Sequence, residues 1–204
     1  MAQGDLLTTE LRKTDAWTIE RRRLIAGAVV GPDLRSKVAA AFQHLGLEHH
    51  AAISRLVHQG VHGSAFALLR PQYDAFLRGA WYLACATDAH VDAVLGGEEP
   101  PRINDLIAAL EADGGFEPDS LKRSKAAAYS QLCDYTHGGA AQIKARIKTN
   151  QIVATYERND LAGLIHASTD LSYLACIEFA KIAGNADLAG SLTQAHQKIY
   201  QRHI

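Results

Sequence analysis

The chain has 204 residues, 48% of them hydrophobic, which is enough for one domain with a substantial core, and we predict a single helical domain over residues 1–204. Its 21 Lys and Arg residues against 22 Asp and Glu give a net charge of -1, so no overall charge favours binding to nucleic acid or a membrane surface. Cys85, Cys133 and Cys176 lack metal-type spacing, and the charged N-terminus lacks the apolar core of a signal peptide. These features predict a cytoplasmic protein with reduced thiols and no cofactor.

Apolar residues recur at helical spacing along the whole chain, whereas strand-like alternation is rare. We therefore predict an all-α fold, a multi-helix bundle with a buried central helix. Glycine and proline positions divide the chain into helices. The predicted helices cover residues 9–26, 32–59, 64–86, 88–95, 103–110, 120–133, 140–147, 159–183 and 186–202. The segment 152–160 is too polar and irregular to assign.

The first predicted helix contains three successive arginines, Arg21, Arg22 and Arg23. Such a run is more often a solvent-exposed face than a binding patch, and we interpret it as one.

Polar residues follow one face of the second predicted helix at steps of three or four. They are His44, Glu48, Arg55, His58 and, beyond the helix end, His62. Two histidines four residues apart on one helix can bind a single metal ion, but a third ligand would have to come from Glu48, His137 or His166 through the fold. We interpret the face as solvated and predict no metal site.

The central predicted helix, residues 64–86, is apolar apart from Arg70, Asp74 and Arg78. Their spacing of four residues places them in a row on one face. Charges in such a helix need partners, because breaking a buried ion pair typically costs about 3–5 kcal/mol. The row is either a structural salt-bridge ladder or the wall of a site with guanidinium donors to spare.

Two local features of this helix also carry predictions. Ser64 is a plausible N-cap. Pro71 removes the hydrogen bond to the Ala67 carbonyl and should kink the helix, so that carbonyl is free to accept a hydrogen bond from another donor.

The second candidate site is the segment 134–139, in which Tyr135 and His137 precede two glycines and a predicted helix start. Backbone N–H groups at helix starts favour anions, and His137 can exchange protons near neutral pH. The alternative is a helix corner in which Asp134 or Thr136 acts only as a cap.

Our leading hypothesis joins both sites in one pocket: Arg70 and Arg78 bind an anionic ligand, Asp74 orients them, and Tyr135 and His137 close the opposite side. If chemistry occurs there, His137 and Asp74 are the candidate catalytic residues.

These motifs resemble those of a group of uncharacterised bacterial all-helical proteins. The resemblance rests on Arg70-Pro71 followed by Asp74, and on the later Tyr-Thr-His-Gly-Gly segment, residues 135–139. They are also similar to helical domains with an Arg-x-x-x-Glu helix and a downstream tyrosine-and-histidine segment, some of which are found beside abortive-infection genes. The resemblance therefore implies a link to stress or phage defence, with an aspartate where that group usually has glutamate.

A more distant resemblance is to the HEPN ribonucleases, helical proteins that use an Arg followed some residues later by a His. Arg55 and His62 fit this pattern, and seven residues return to nearly the same face of a helix. The resemblance implies an RNA-cleaving homodimer with Arg55 and His62 as its catalytic residues. A third alternative is a purely structural or partner-binding bundle.

Overall fold

The computed structural model describes residues 5–200, and within that range it confirms the predicted all-α bundle. The helices are α1 (Leu6–Ile25), α2 (Leu34–His58), α3 (His62–Ala84), α4 (Asp88–Leu95), α5 (Ile103–Asp113), α6 (Ser120–Thr136), α7 (Ala140–Lys144), α8 (Arg158–Ile182) and α9 (Ala186–Tyr200). A short antiparallel pair, β1 (Ile147–Lys148) and β2 (Gln151–Ile152), follows α7 and pairs Ile147 with Ile152. Among the described helices, none combines the length and the apolar character needed to cross a bilayer.

Helix α3 is the predicted buried central helix, and it packs most extensively against α2 while also contacting α5, α6 and α8. Its two halves serve two hydrophobic clusters. The first half contributes Phe66 and Leu69 to a cluster with α8, and the second half contributes Phe76 and Leu77 to the larger cluster. The charged row lies where the two halves meet, so it sits beside the core and not at an end of the bundle.

The structure corrects several predicted boundaries of helices. Helix α1 begins at Leu6 and not at Thr9, and α6 continues to Thr136, three residues beyond its predicted end at Cys133. Helix α3 begins at His62, two residues before the predicted N-cap Ser64, and its cap residue Val61 makes no side-chain hydrogen bond. Helix α7 stops at Lys144, because the chain then turns into the β1–β2 hairpin through Thr149, whose φ is 41°. Alternation over only two residues on each strand is too short to be read from a sequence.

A chain of buried polar groups crosses the bundle between α1, α2, α3 and α8, and we call it the His50 network. Nδ1 of His50 lies 3.0 Å from Oγ of Ser168, which donates to Oε1 of Gln72 at 2.6 Å. Nε2 of His50 lies 3.3 Å from both Thr14 Oγ1 and Thr18 Oγ1. Because buried polar groups are costly unless paired, these hydrogen bonds fix how α1, α2 and α8 are placed around α3.

Candidate functional site

A cavity of about 320 Å³ opens beside the middle of α3, and we call it the α3 pocket. The charged row of α3 forms one wall, α2 forms a second, and the end of α6 with the turn after it forms a third. Its lining residues are Phe42, Leu45 and His49 of α2, Arg70, Pro71, Asp74, Ala75 and Arg78 of α3, and Thr136 and His137. The structure thus brings the row and His137, far apart in sequence, to one cavity.

Arg70 is held in place by three neighbours. Its Nη1 lies 2.5 Å from Nε2 of His137, and its Nε lies 3.7 Å from Oδ2 of Asp74. Its guanidinium carbon also lies 5.2 Å from the centroid of the Tyr129 ring, in cation–π geometry. Since a guanidinium can only donate, Nε2 of His137 accepts, and a neutral His137 carries its proton on Nδ1.

The other two residues of the row, Asp74 and Arg78, each have a side-chain atom that could form a further hydrogen bond. Among residues 5–200, neither Oδ1 of Asp74 nor Nε of Arg78 has a hydrogen-bond partner, although both atoms are buried. Burial raises the pKa of the Asp74 carboxyl above its ordinary value, against the opposing effect of Arg70 and Arg78. The ion pair in the row joins Arg70 to Asp74 and does not extend to Arg78, so the row is not the full structural ladder.

The Ala67 carbonyl, whose backbone donor Pro71 removes, accepts a hydrogen bond from another donor, as the sequence predicted. The helix α3 continues through Pro71, and the Oγ1 hydroxyl of Thr136 donates to the Ala67 carbonyl at 3.2 Å. The same hydroxyl lies 2.8 Å from the Leu132 carbonyl in its own helix. This contact ties the end of α6 to α3 one turn from Arg70, and so positions His137.

Replacing Thr136 with valine should lower the free energy of unfolding by about 1 kcal/mol, because the Ala67 carbonyl loses its donor. Urea unfolding of Thr136→Val in the wild-type and Pro71→Ala backgrounds measures this contribution. The Pro71→Ala change restores a backbone N–H for the same carbonyl, so Thr136→Val should cost clearly less in that background. Equal costs in both backgrounds would show that the hydroxyl serves only its own helix.

Tyr135 does not line the pocket, contrary to the prediction that it closes the opposite side. Its ring stacks on Phe66 with centroids 4.5 Å apart, within the hydrophobic cluster at the first half of α3. Consecutive residues on a helix point about 100° apart, so Thr136 faces the pocket while Tyr135 faces the core. Thr136 therefore takes the place that the sequence assigned to Tyr135.

The helix start after His137 is not the open anion site that the sequence indicated. Oδ2 of Asp134 accepts from the Ala141 N–H at 2.5 Å, so the cap alternative describes this corner. Gly138 has φ of 68°, and a Cβ on Gly139 would lie 1.7 Å from Oδ1 of Asp134. Both glycines are therefore needed to let Asp134 fold back over the start of α7.

Sequence reasoning also missed His49, which lines the pocket, and Tyr129, whose ring contacts Arg70. His49 shares a face of α2 with Phe42 and Leu45, at steps of three and four, and burial lowers its pKa. That spacing is visible in the sequence, but nothing there indicates that this face meets the charged row. Tyr129 likewise lies on α6 seven residues before Thr136, on nearly the same face.

The residues of the ribonuclease hypothesis lie on two different helices. Arg55 belongs to α2, which ends at His58. Gly60 then takes a left-handed φ of 75°, which interrupts the helical conformation before α3 begins at His62. The His62 ring packs edge-on against Tyr156 at 5.8 Å. The premise that Arg55 and His62 share one helix face is therefore wrong.

The same break separates the two histidines considered for a metal. Nε2 of His58 lies 3.0 Å from Oδ2 of Asp15 on α1. Within residues 5–200, no group of three or more His, Cys, Asp or Glu side chains is arranged to hold a metal ion.

Comparison with known proteins places the chain in a family. The model of a family of unknown function, DUF6988, matches residues 43–203. The chain belongs to the DUF6988 family. No curated protein and no solved structure matches it. In this DUF6988 protein every residue that lines the α3 pocket, except Phe42, falls inside the matched segment.

Proposed function

We propose that the α3 pocket binds a small organic anion and that Arg70 and Arg78 supply the positive charge that recognises it. The observation that carries the proposal is the arrangement of Arg70, which a histidine, a carboxylate and a tyrosine ring hold at the wall of a cavity. A guanidinium fixed in this way loses little conformational freedom when a ligand binds. Such preorganisation is typical of a binding site.

The unused hydrogen-bonding atoms define the ligand further. Nε of Arg78 is a donor without a partner, and Oδ1 of Asp74 is an acceptor without one, among the described residues. A ligand that carries an acidic group and also a hydroxyl or amino group would satisfy both atoms. The volume of about 320 Å³ is at the lower end for ligand sites, so we expect a compact molecule such as a hydroxy acid.

Titration calorimetry at pH 7 with citrate, tricarballylate and inorganic phosphate tests this proposal. Citrate and tricarballylate differ by one hydroxyl, which Asp74 should recognise, so citrate should bind about tenfold more tightly. Arg70→Gln and Arg78→Gln should each weaken citrate binding by about tenfold or more, because each removes a charge-assisted hydrogen bond.

The matched control is Arg12→Gln, which removes an exposed arginine from α1 and should leave citrate binding unchanged. If wild-type protein binds none of the three anions at millimolar concentration, the proposal is wrong. A different pair of results would favour the purely structural bundle. In that case Arg70→Gln would lose its folded state, and none of the anions would raise the melting temperature of the wild type.

Catalytic roles for His137 and Asp74 remain predictions within this proposal. The Arg70 contact leaves Nδ1 of His137 as the proton-carrying nitrogen, and the raised pKa of Asp74 favours its uptake of a proton. A slow turnover of a bound hydroxy acid that His137→Gln and Asp74→Asn both abolish would support them. The link to phage defence rests on the resemblance of the motifs alone, and the genes next to this one would test it.

A further inference from the structure

A larger cavity than the α3 pocket lies elsewhere, between the end of α1 and an outer face of α2. Its volume is about 720 Å³, and it shares no lining residue with the α3 pocket. We call it the Arg21 groove. Its charged and titratable lining residues are Arg21, Arg22, His44, Glu48 and Arg55.

Arg21 is the unusual member of this set because it is almost fully buried, at 3% exposure. Its Nη2 donates to the Leu47 carbonyl at 3.0 Å, but its Nε has no partner among residues 5–200. No carboxylate of the described chain lies within ion-pair distance of it, and burial lowers its pKa. A buried charge without a counter-charge is costly, and an anion bound in the groove would offset that cost.

The remaining cations of the groove are exposed and equally free of counter-charges. Arg22 and Arg55 form no ion pair within the described part of the chain, and Glu48 is the acidic residue among the lining residues. Three guanidiniums therefore face one carboxylate. The floor between them is apolar and consists of Ile25, Leu47, Ala51, Ala52 and Leu56.

We propose that the Arg21 groove binds an organic phosphate with an apolar or aromatic body, of the size of a nucleoside monophosphate. Guanidiniums are the preferred donors for phosphate oxygens, and the apolar floor suits a planar ring. The volume lies within the range of small-molecule sites. Arg21 and Arg22 of the arginine run thus belong to a binding surface in this proposal, whereas Arg23, which pairs with Glu20, stays on the solvated face that the sequence indicated.

Titration calorimetry with AMP, adenosine and inorganic phosphate tests the proposal. A site that contacts both the phosphate and the nucleoside should bind AMP more tightly than it binds adenosine or inorganic phosphate. Arg55→Gln and Arg22→Gln change exposed residues and should each weaken AMP binding by about tenfold. Arg21→Met removes the buried charge, so AMP should raise the melting temperature of this variant less than that of the wild type.

Two controls separate this site from the α3 pocket. Arg12→Gln on α1 and Arg70→Gln in the pocket should both leave AMP binding unchanged. The proposal is overturned if AMP does not bind, if Arg55→Gln binds it as tightly as the wild type, or if an Arg70→Gln variant shown to be folded by circular dichroism no longer binds it. Tighter, Arg55-dependent binding of single-stranded oligoadenylate than of AMP would also overturn it, because the groove would then be a nucleic-acid site.

Discussion

Gly79→Ala should lower the free energy of unfolding by about 1–3 kcal/mol, although alanine is normally the better helix residue. Gly79 lies in the buried half of α3, where α2 crosses it. A Cβ built on Gly79 would lie 2.4 Å from Nε2 and 2.7 Å from Cδ of Gln43. Gln43 is itself fully buried and donates to the Phe76 carbonyl, so moving its side chain away would break this hydrogen bond inside the packed core.

Urea unfolding of Gly79→Ala and of Gly163→Ala gives a matched comparison. Gly163 is exposed on α8, and a Cβ there would meet nothing within 4 Å. Gly163→Ala should therefore raise the free energy of unfolding by about 0.5–1 kcal/mol, the ordinary gain of alanine over glycine in a helix. If both variants gain stability, the close contact between α2 and α3 at Gln43 does not exist.

A double variant checks the cause of the loss. Shortening the neighbour in Gln43→Ala makes room for the new methyl group, so Gly79→Ala should cost less in that background than in the wild type. Equal costs would attribute the effect to the helix backbone and not to the contact with Gln43.

Helical period and glycine or proline positions were enough to predict most elements, because those signals are local. The row of Arg70, Asp74 and Arg78 was equally predictable, since four-residue spacing on one helix needs no knowledge of the tertiary fold. That His137 lies beside this row was predicted as a hypothesis, because no spacing in the sequence shows which helices pack together. His137 reaches Arg70 because Thr136 ties α6 to the carbonyl that Pro71 frees, and such a contact depends on how two helices pack.

The wrong predictions have equally physical causes. Tyr135 was assigned to the pocket because it is next to His137, but neighbours on a helix point to different sides. Arg55 and His62 were placed on one helix face because their spacing fits, but Gly60 takes a left-handed φ and starts a new helix direction. The Arg21 groove was missed because a run of arginines does not reveal that one of them is buried without a counter-charge.

Acid should destabilise this protein through His50 over a defined pH range. The pKa of His50 is lowered from its ordinary value to about 3. Burial in the core is the largest cause, and the positive charges of Arg21 and Arg22 add to it. The folded state therefore keeps His50 neutral below pH 6.5, whereas the unfolded chain takes up a proton there. The free energy of unfolding should be unaffected by His50 above that pH and should fall by up to about 1.4 kcal/mol for each pH unit down to pH 3.

Urea unfolding of the wild type, His50→Gln and His44→Gln between pH 7.5 and pH 4 would isolate this contribution. The two variants should differ in the slope of the free energy of unfolding against pH. His50→Gln loses hydrogen bonds of the His50 network, so it should be less stable than the wild type at neutral pH, but it has no imidazole to protonate. Its stability should therefore fall less steeply in acid, and the gap to the wild type should narrow as the pH decreases. His44→Gln removes an exposed imidazole and should keep the wild-type slope. Parallel curves for His50→Gln and the wild type would show that the imidazole of His50 accepts a proton within the folded core, and the burial argument for the His50 network would fail.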